Sequence, residues 1–214
     1  MLKRLLYLTA TGALGALFAA SPLLAEDPHS TEFNMVVSAG AKACVPNATA
    51  TVKIRPGGPV DIMEVTVQGL PANTDFDFFV IQVPKAPFGI AWYQGDIVTD
   101  KNGRGHQVFM GRFNIETFAF AQGSAPAPVV FNGAFPDASV NPSFNPIQMY
   151  HLGLWFDSPN DAQNSGCPAS VTAFNGQHNA GLQVLNTSNF ADDHGPLRDV
   201  TDSSTKSGNG EDRK

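Results

Sequence analysis

Apolar and polar residues alternate over short runs along most of this chain, and turn residues separate the runs. The segment MEVTVQ, residues 63–68, alternates strictly, and ATVKI, residues 50–54, does the same. A period of two is typical of a strand with one buried face, whereas helical periodicity is almost absent after residue 25. The pattern predicts an all-β domain, an antiparallel β-sandwich with long irregular loops.

One run departs from this alternation because it is apolar on both sides. In FDFFVIQV, residues 76–83, Phe76 and Phe78 share one face of a strand, and Phe79 and Ile81 share the other. Apolar residues on both faces are typical of a strand that is covered from both sides. This segment is therefore predicted to be a central strand.

The clearest hairpin signal is the turn TDKNGRG, residues 99–105, which joins two strand-like runs. Asn102-Gly103 is a pair typical of tight hairpin turns. Asp100 and Asn102 also suggest a calcium loop, but Arg104 stands where a further oxygen ligand is needed. We therefore interpret the stretch as a turn.

The remaining segments set the domain boundaries. Residues 121–147 are rich in proline and small residues and predict a long irregular connection, a kind of segment that is usually functional or flexible. Strands are predicted at 149–156 and 182–187. A single sandwich domain is predicted at 26–190, and the polar composition beyond it predicts a disordered tail at 191–214.

The segment LPANTDF, residues 70–76, lies between two predicted strands. It resembles the Leu-x-Pro-x-Thr-x-Tyr corner of fibronectin type III and related immunoglobulin-like sandwiches. The resemblance implies an immunoglobulin-like β-sandwich in which the corner turns the chain from one sheet to the next. Phe76 stands in place of the tyrosine, and without a hydroxyl it cannot form the hydrogen bond of a tyrosine corner. The resemblance implies a fold and no activity.

The chain also contains the blocks GLPANTDFDFFV, PFGIAWYQGDIVTDKNGRGH and LGLWFDSPNDAQNSGC, the last followed by FNGQHNAGLQVLNT. Together they resemble a family of exported bacterial proteins that is uncharacterised. The resemblance covers most of residues 60–190. It implies export and one domain, and it carries no catalytic residues.

The first residues follow a targeting pattern. Lys3 and Arg4 precede the apolar run 5–20, and charged residues follow Ala25. This is typical of a secretory signal peptide, residues 1–25, cleaved after Ala25. The alternative is a membrane anchor, although 16 residues fall short of the roughly 20 that a spanning helix needs. We expect a secreted protein, extracellular or periplasmic, with no membrane span after cleavage.

The charge of the chain argues against two classes of partner. The full chain has a net charge of −6, and removal of residues 1–25 takes away two basic residues, which leaves −8. An acidic chain without a basic run is not suited to nucleic acid or to an anionic membrane surface, because both attract Lys and Arg. The predicted partner is an extracellular glycan or protein, and no cofactor is indicated.

The mature chain has two cysteines, Cys44 and Cys167. Export permits a disulfide, and an even count favours one. The bond would close a loop of 122 intervening residues and tie the first third of the domain to the last. The alternative is a pair of free buried thiols.

The aromatic residues are the better indication of function. Trp92-Tyr93 lies in an alternating strand, so one ring is expected to face outward if the other faces the core. Trp155 is expected on the polar face of its strand. Exposed flat rings on a sandwich stack on sugars or pack against a partner, although core packing is an equally good interpretation.

The loop TAFNGQHNAG, residues 172–181, is a second candidate region. It follows Cys167 closely and concentrates amides, a histidine and two glycines. Such a polar loop suits a ligand site, and an ordinary turn region would look the same. The candidate ligand-binding residues are Trp92, Tyr93, Trp155, His151, Asn175 and His178.

Histidines and acids leave an enzymatic alternative open. His106, His151 and His178 form no His-x-His or His-x-x-x-His pair, so a metal site would have to be assembled across strands. A metal-dependent enzyme would use His151 and His178 with a nearby carboxylate. Acids are also numerous enough for a glycosidase pair, although spacing in sequence does not give their separation: Asp96, Glu116, Asp157 and Asp161.

The sequence therefore predicts a secreted β-sandwich that binds a glycan or a protein, with no catalysis evident. Two alternatives stay open. One is the secreted metal-dependent enzyme, and the other is a structural component of an extracellular assembly.

Overall fold

The computed structural model describes residues 30–119, 146–172 and 174–201. The predicted signal peptide lies outside these residues, as do most of the predicted irregular connection and the end of the predicted tail. The strands are β1 Thr31–Val37, β2 Thr49–Pro56, β3 Asp61–Gln68, β4 Asp75–Ile81, β5 Ala91–Val98, β6 Gly105–Gly111, β7 Phe118–Ala119, β8 Ile147–Gln148, β9 His151–Phe156 and β10 Gln183–Asn186. The helices are α1 Pro159–Asn164 and a 3-10 helix at Pro196–Asp199. In the described part of the chain, no helix is long and apolar enough to cross a membrane.

Eight strands are hydrogen bonded in the order β5-β4-β9-β10-β1-β2-β3-β6, and every pair is antiparallel. Strand β1 joins two layers, because its first residues pair with β2 while Val36 and Val37 pair with β10. The first layer is therefore β1, β2, β3 and β6, and the second is β5, β4, β9 and β10. The predicted all-β sandwich is confirmed.

Part of the strand pairing is local, between strands that follow each other in the chain, and part joins distant strands. Strands β2 and β3 follow each other in the chain and pair over their full length, and β4 and β5 do the same in the second layer. In the constant-type immunoglobulin sandwich, the second strand instead pairs with the fifth. The likeness to that class therefore lies in the two antiparallel layers and in the corner between β3 and β4.

The main core lies between the layers and is rich in phenylalanine. Phe78 of β4 stacks on Phe109 of β6 across the two layers, with ring centroids 5.3 Å apart. Phe76 contacts Phe156 of β9 at 5.1 Å. Alternate residues of β2 and β3 fill the rest of this core from the first layer. Their neighbours point outward, which is the burial pattern that strict alternation predicts.

A second, smaller core covers the outer face of the second layer. It contains Phe79 and Ile81 of β4 and Trp155 of β9. Phe88 and Phe174 pack over these residues from two loops. The prediction that β4 is covered on both sides is confirmed.

The corner at residues 69–74 packs against the turn at residues 99–104. The hydroxyl of Thr99 donates to the carbonyl of Pro71 at 2.6 Å and accepts from the N–H of Thr74 at 3.0 Å. Thr99 is buried. Its hydroxyl ties the residue that follows β5 to the backbone of the corner, whereas in a tyrosine corner the hydroxyl that bonds to the corner comes from a residue of the corner itself.

Removing this hydroxyl is expected to loosen the corner. Thr99→Val keeps the shape of the side chain but leaves the Pro71 carbonyl and the Thr74 N–H without their partner. We expect a loss of about 1–3 kcal/mol in the free energy of unfolding, measured by urea denaturation. Thr99→Ser keeps the hydroxyl, and its loss should be smaller, about 1 kcal/mol for the missing methyl group. Equal losses in the two variants would show that the hydroxyl does not stabilise the corner.

Cys44 and Cys167 form a disulfide bond with a Cα–Cα distance of 5.2 Å, as predicted. Cys44 lies in the connection between β1 and β2, and Cys167 follows α1. The bond therefore holds helix α1, which leads out of β9 in the second layer, against the connection that enters the first layer.

The predicted disordered tail is wrong for its first residues. Leu197 of the 3-10 helix is fully buried, and Val200 is almost fully buried. Both belong to the main core. The N–H of Leu197 donates to the carbonyl of Tyr150 at 3.2 Å. The sequence did not indicate that these two residues belong to the core, because most of the residues around them are polar.

Candidate functional site

Trp92 and Tyr93 are consecutive residues of β5, the last strand of the second layer, and both are about half exposed, at 50% and 46%. Phe78 pairs with Gly95 and Phe79 pairs with Tyr93, so Gln94 is an extra residue that forms a β-bulge. Trp92 pairs with Val80, so it lies on the face of the sheet that is turned toward the main core, although it is not part of that core. Tyr93 lies on the opposite, outer face of the sheet. The sequence predicted one outward ring, and the edge position exposes both.

The ring of Tyr93 is held in place from two directions. Its hydroxyl donates to the carboxylate of Asp96 at 2.5 Å, and its ring contacts Phe79 with centroids 5.5 Å apart. Partial burial, followed by the hydrogen bond to Asp96, raises the pKa of Tyr93. The phenol therefore stays protonated and presents a fixed, half-exposed face.

Trp155 is not exposed, and the expectation that it forms part of a surface is wrong. It does lie on the outer face of its strand, but Phe79, Phe88 and Phe174 all pack against its indole ring at centroid distances of 5.1–5.6 Å. The two loops that carry Phe88 and Phe174 cover the face that the strand pattern leaves open. Trp155 therefore stabilises the second core and cannot stack on a ligand.

The loop at residues 172–181 is organised by Asn175, which is buried. Its amide nitrogen donates to the carbonyl of Asp157 at 2.8 Å, and its amide oxygen accepts from the N–H of Asn179 at 2.9 Å. His178 is exposed, and its N–H donates to the carbonyl of Asn175. Asn175 thus holds the loop on the sheet, while His178 faces solvent.

His151 is fully buried, and both of its ring nitrogens have partners. Nδ1 lies 2.9 Å from the hydroxyl of Thr187, and Nε2 lies 3.2 Å from the carbonyl of Asp192. Burial lowers the pKa of His151 to about 4, so the ring is neutral near pH 7. Neither of its partners belongs to the loop that carries His178. Among the described residues, no group of three or more His, Cys, Asp or Glu side chains is arranged to hold a metal ion.

The feature that the sequence reasoning missed is Asp77. It lies on the outer face of β4, pairs across the strands with Asp96 on one side and Trp155 on the other, and is 1% exposed. Burial, followed by the charges of Asp157 and Asp96, raises its pKa to about 7, although a hydrogen bond with Asn175 acts in the opposite direction. Its sequence signal is an acid inside a run that is otherwise apolar on both faces.

Asp77 carries a buried oxygen without a hydrogen-bond partner. Within the described residues, its Oδ2 has no donor, and Nε1 of its neighbour Trp155 has no acceptor. The great majority of buried polar atoms in proteins have a hydrogen-bond partner. Two buried atoms without a partner on adjacent strands therefore make this part of the outer face unusual.

The acids considered for a glycosidase pair are only partly brought together. Asp96 and Asp157 both lie close enough to Asp77 to raise its pKa. Asp77 itself is too buried to meet a sugar ring.

Asp100 belongs to the hairpin turn. Its carboxylate accepts hydrogen bonds from the backbone N–H groups of Asn102 and Arg104 at 2.8 and 3.0 Å, and these bonds also lower its pKa. The interpretation of that segment as a hairpin turn is confirmed.

The geometry therefore offers an exposed aromatic pair at the end of a sheet, beside a group of carboxylates with one buried member. A scan against models of known protein families found none that matches this chain, and a search of curated proteins found none that is similar to it.

Proposed function

We propose that this protein is exported and acts as a non-catalytic module that binds an extracellular ligand along β5. The observation that carries the proposal is the exposed pair Trp92 and Tyr93, here called the aromatic edge. The signal-peptide pattern of residues 1–25 and the Cys44–Cys167 bond support an oxidising location outside the cytoplasm.

The aromatic edge has the properties of a binding surface. Large aromatic side chains are enriched among the residues that dominate binding energies, because each buries a large area while fixing only two side-chain torsions. Tyr93 is already ordered by Asp96 and Phe79, so little side-chain freedom is left to lose when a ligand binds.

Trp92 provides its own reporter. Trp92 and Trp155 are the two tryptophans of the chain, and Trp155 is fully buried. A ligand on the aromatic edge should therefore change the emission of Trp92 and leave that of Trp155 unchanged. The probes are two neutral oligosaccharides, chitohexaose and cellohexaose, and extended octapeptides of defined charge.

We expect one class of probe to bind and Trp92→Ala to weaken its affinity by about tenfold or more, measured by titration calorimetry. The matched control is Met110→Ala, because Met110 is 72% exposed on β6, the last strand of the other layer. This control should bind as the wild type does. Equal binding by the Trp92→Ala variant would overturn the proposed surface. Failure of every probe to bind with a Kd below about 1 mM would overturn the binding role.

A further inference from the structure

Four carboxyl groups lie together on the outer face of the second layer, next to the aromatic edge. We call them the acidic patch, and they are Asp75, Asp77, Asp96 and Asp157. Asp77 pairs across the strands with Asp96, and the N–H of Asp157 donates to the carbonyl of Asp75 at 3.2 Å. The patch thus spans β4, β5 and the residue that follows β9.

The acidic patch has no counter-charge from the residues that the structure describes. In the described part of the chain, no Lys or Arg forms an ion pair with any of the four carboxyl groups. Burial and the neighbouring acids raise the pKa values of both Asp75 and Asp77. The free protein therefore holds like charges close together, and a bound positive charge would relieve their repulsion.

A second observation points to a ligand independently of the number of acids. Asp77 is 1% exposed, yet its Oδ2 accepts no hydrogen bond from the described protein. Its carboxyl group is close enough to Asp96 and Asp157 for both of their charges to raise its pKa. Ionised Asp77 is therefore incompletely hydrogen bonded by the residues that the structure describes, although Nε1–H of the neighbouring Trp155 is also without a partner among them. A cation above the patch would act on its charge and on those of Asp96 and Asp157.

We infer that the acidic patch and the aromatic edge together bind a basic, extended segment of a protein partner, which adds along β5 and places Lys or Arg over the carboxylates. This inference rests on the proposed function and specifies its ligand. Strand β5 ends the sheet order, and its far edge pairs with no strand that the structure describes. An edge strand offers free backbone groups to an extended peptide, and side-chain contacts then select the sequence.

The geometry favours this occupant over others. On β5, the outer face carries Tyr93, Asp96 and Val98, so every second side chain of an added strand would lie on the same face as the acidic patch. A second copy of the chain would bring Asp96 against another acidic surface. An anionic glycan would be repelled. A neutral glycan would contact the rings of the aromatic edge but gain nothing from the carboxylates.

The test is titration calorimetry of the full mature chain with three probes: an alternating Lys-Thr octapeptide, the matching Glu-Thr octapeptide, and chitohexaose. We expect the Lys-Thr peptide to bind, the Glu-Thr peptide not to bind, and the Lys-Thr affinity to fall as ionic strength rises. Asp96→Asn should weaken Lys-Thr binding by about fivefold, because one partly screened charge is removed. The amide oxygen can still accept from the Tyr93 hydroxyl, so the fold should be kept.

The matched control is Glu32→Gln, which removes one exposed acid from the opposite layer, on β1. It should leave Lys-Thr binding unchanged. Asp75→Asn serves as a second patch variant in case Asp96→Asn alters the position of Tyr93. Circular dichroism checks that each variant is folded.

Three results would overturn the inference. They are equal weakening by Glu32→Gln, Lys-Thr binding that neither patch variant changes, and absence of Lys-Thr binding. If chitohexaose binds and requires Trp92 while the Lys-Thr peptide does not bind, the inference fails and the proposed function stands. If the Lys-Thr peptide binds through Asp96 but Trp92→Ala has no effect, the acidic patch stands and the aromatic edge is removed from the proposed function.

Discussion

Removal of the Cys44–Cys167 bond is expected to reduce the free energy of unfolding by about 4–5 kcal/mol, because the bond closes a loop across 123 positions and restricts the unfolded chain. A domain of this size is typically stable by only about 5–15 kcal/mol. The loss would therefore bring the protein close to its unfolding threshold at physiological temperature. The bond links the connection before β2 to the segment that follows α1, so its removal leaves that segment without a covalent link to the first layer.

The measurement is urea denaturation of the oxidised wild type, the reduced wild type and the double variant with Cys44→Ala and Cys167→Ala. The reduced wild type is the matched control, because it keeps every side-chain atom and lacks only the bond. Both bond-free forms should lose similar stability. A loss below about 1 kcal/mol in both would show that the bond contributes little beyond the native contacts around it.

Mass spectrometry of the exported fraction, before and after reduction, tests the proposed export and the bond together. We expect a chain that begins at Glu26 and that gains two hydrogens on reduction.

The strand pattern could be predicted because it depends on neighbouring residues. Alternation in β2 and β3 identified strands with one buried face, and the two-sided apolar run in β4 identified a strand covered on both sides. The pairing of Cys44 with Cys167 followed from their number and the expected compartment. Each of these inferences uses a rule that acts within a few residues or counts a residue type.

The burial of Trp155 could not be predicted in the same way. Its cover comes from Phe88 and Phe174, which lie on loops far from it in sequence. Leu197 is a similar case, since a single apolar residue in a polar segment becomes core only when the segment returns to the sheet beside Tyr150. Burial that depends on long-range packing of loops leaves no periodic signal.

The same dependence on long-range packing explains why the sequence indicated the aromatic residues of the candidate site and did not indicate its acidic patch. Trp92 and Tyr93 were candidate binding residues because they are large rings in an alternating strand, with one of them expected to face outward, and the exposure of both depends on the edge position of β5. The acidic patch depends on strand register, which brings residues of β4 and β5 opposite each other although about 20 positions separate them in the chain. Asp77 alone gave a local signal.

Asp77 is also expected to make the stability of the protein strongly dependent on pH. Its pKa rises from 3.8 in the unfolded chain to about 7 in the folded protein, mainly through burial and then through the charges of Asp157 and Asp96. A carboxyl group with a raised pKa binds its proton more tightly in the folded state. Its contribution to stability is therefore complete below about pH 4 and is lost as the pH rises through about 7.

The size of this effect follows from the difference between the two pKa values. Each tenfold change in proton affinity is worth about 1.4 kcal/mol, so ionisation of buried Asp77 costs the folded state about 4 kcal/mol at pH 8 relative to pH 4. Asp77→Asn keeps the shape of the side chain and does not titrate. The variant should therefore gain stability relative to the wild type as the pH rises, by up to about 4 kcal/mol between pH 4 and pH 8.

Urea denaturation of the wild type and of Asp77→Asn at intervals from pH 4 to pH 8 measures this difference. His151 titrates in the opposite sense, because burial lowers its pKa to about 4 and its contribution is lost as the pH falls. Both proteins contain His151, so its contribution cancels in the difference between them.

Asp96→Asn is the matched control: it removes a charge beside Asp77 and should shift the pH dependence to lower pH without abolishing it. A difference between wild type and Asp77→Asn that does not vary with pH would show that the pKa of Asp77 is the same in the folded and the unfolded protein, so that burial does not penalise its ionised form. A difference that follows the expected curve would show that the fold keeps a buried carboxyl group at a free-energy cost above pH 7, which is the cost that a bound cation would reduce.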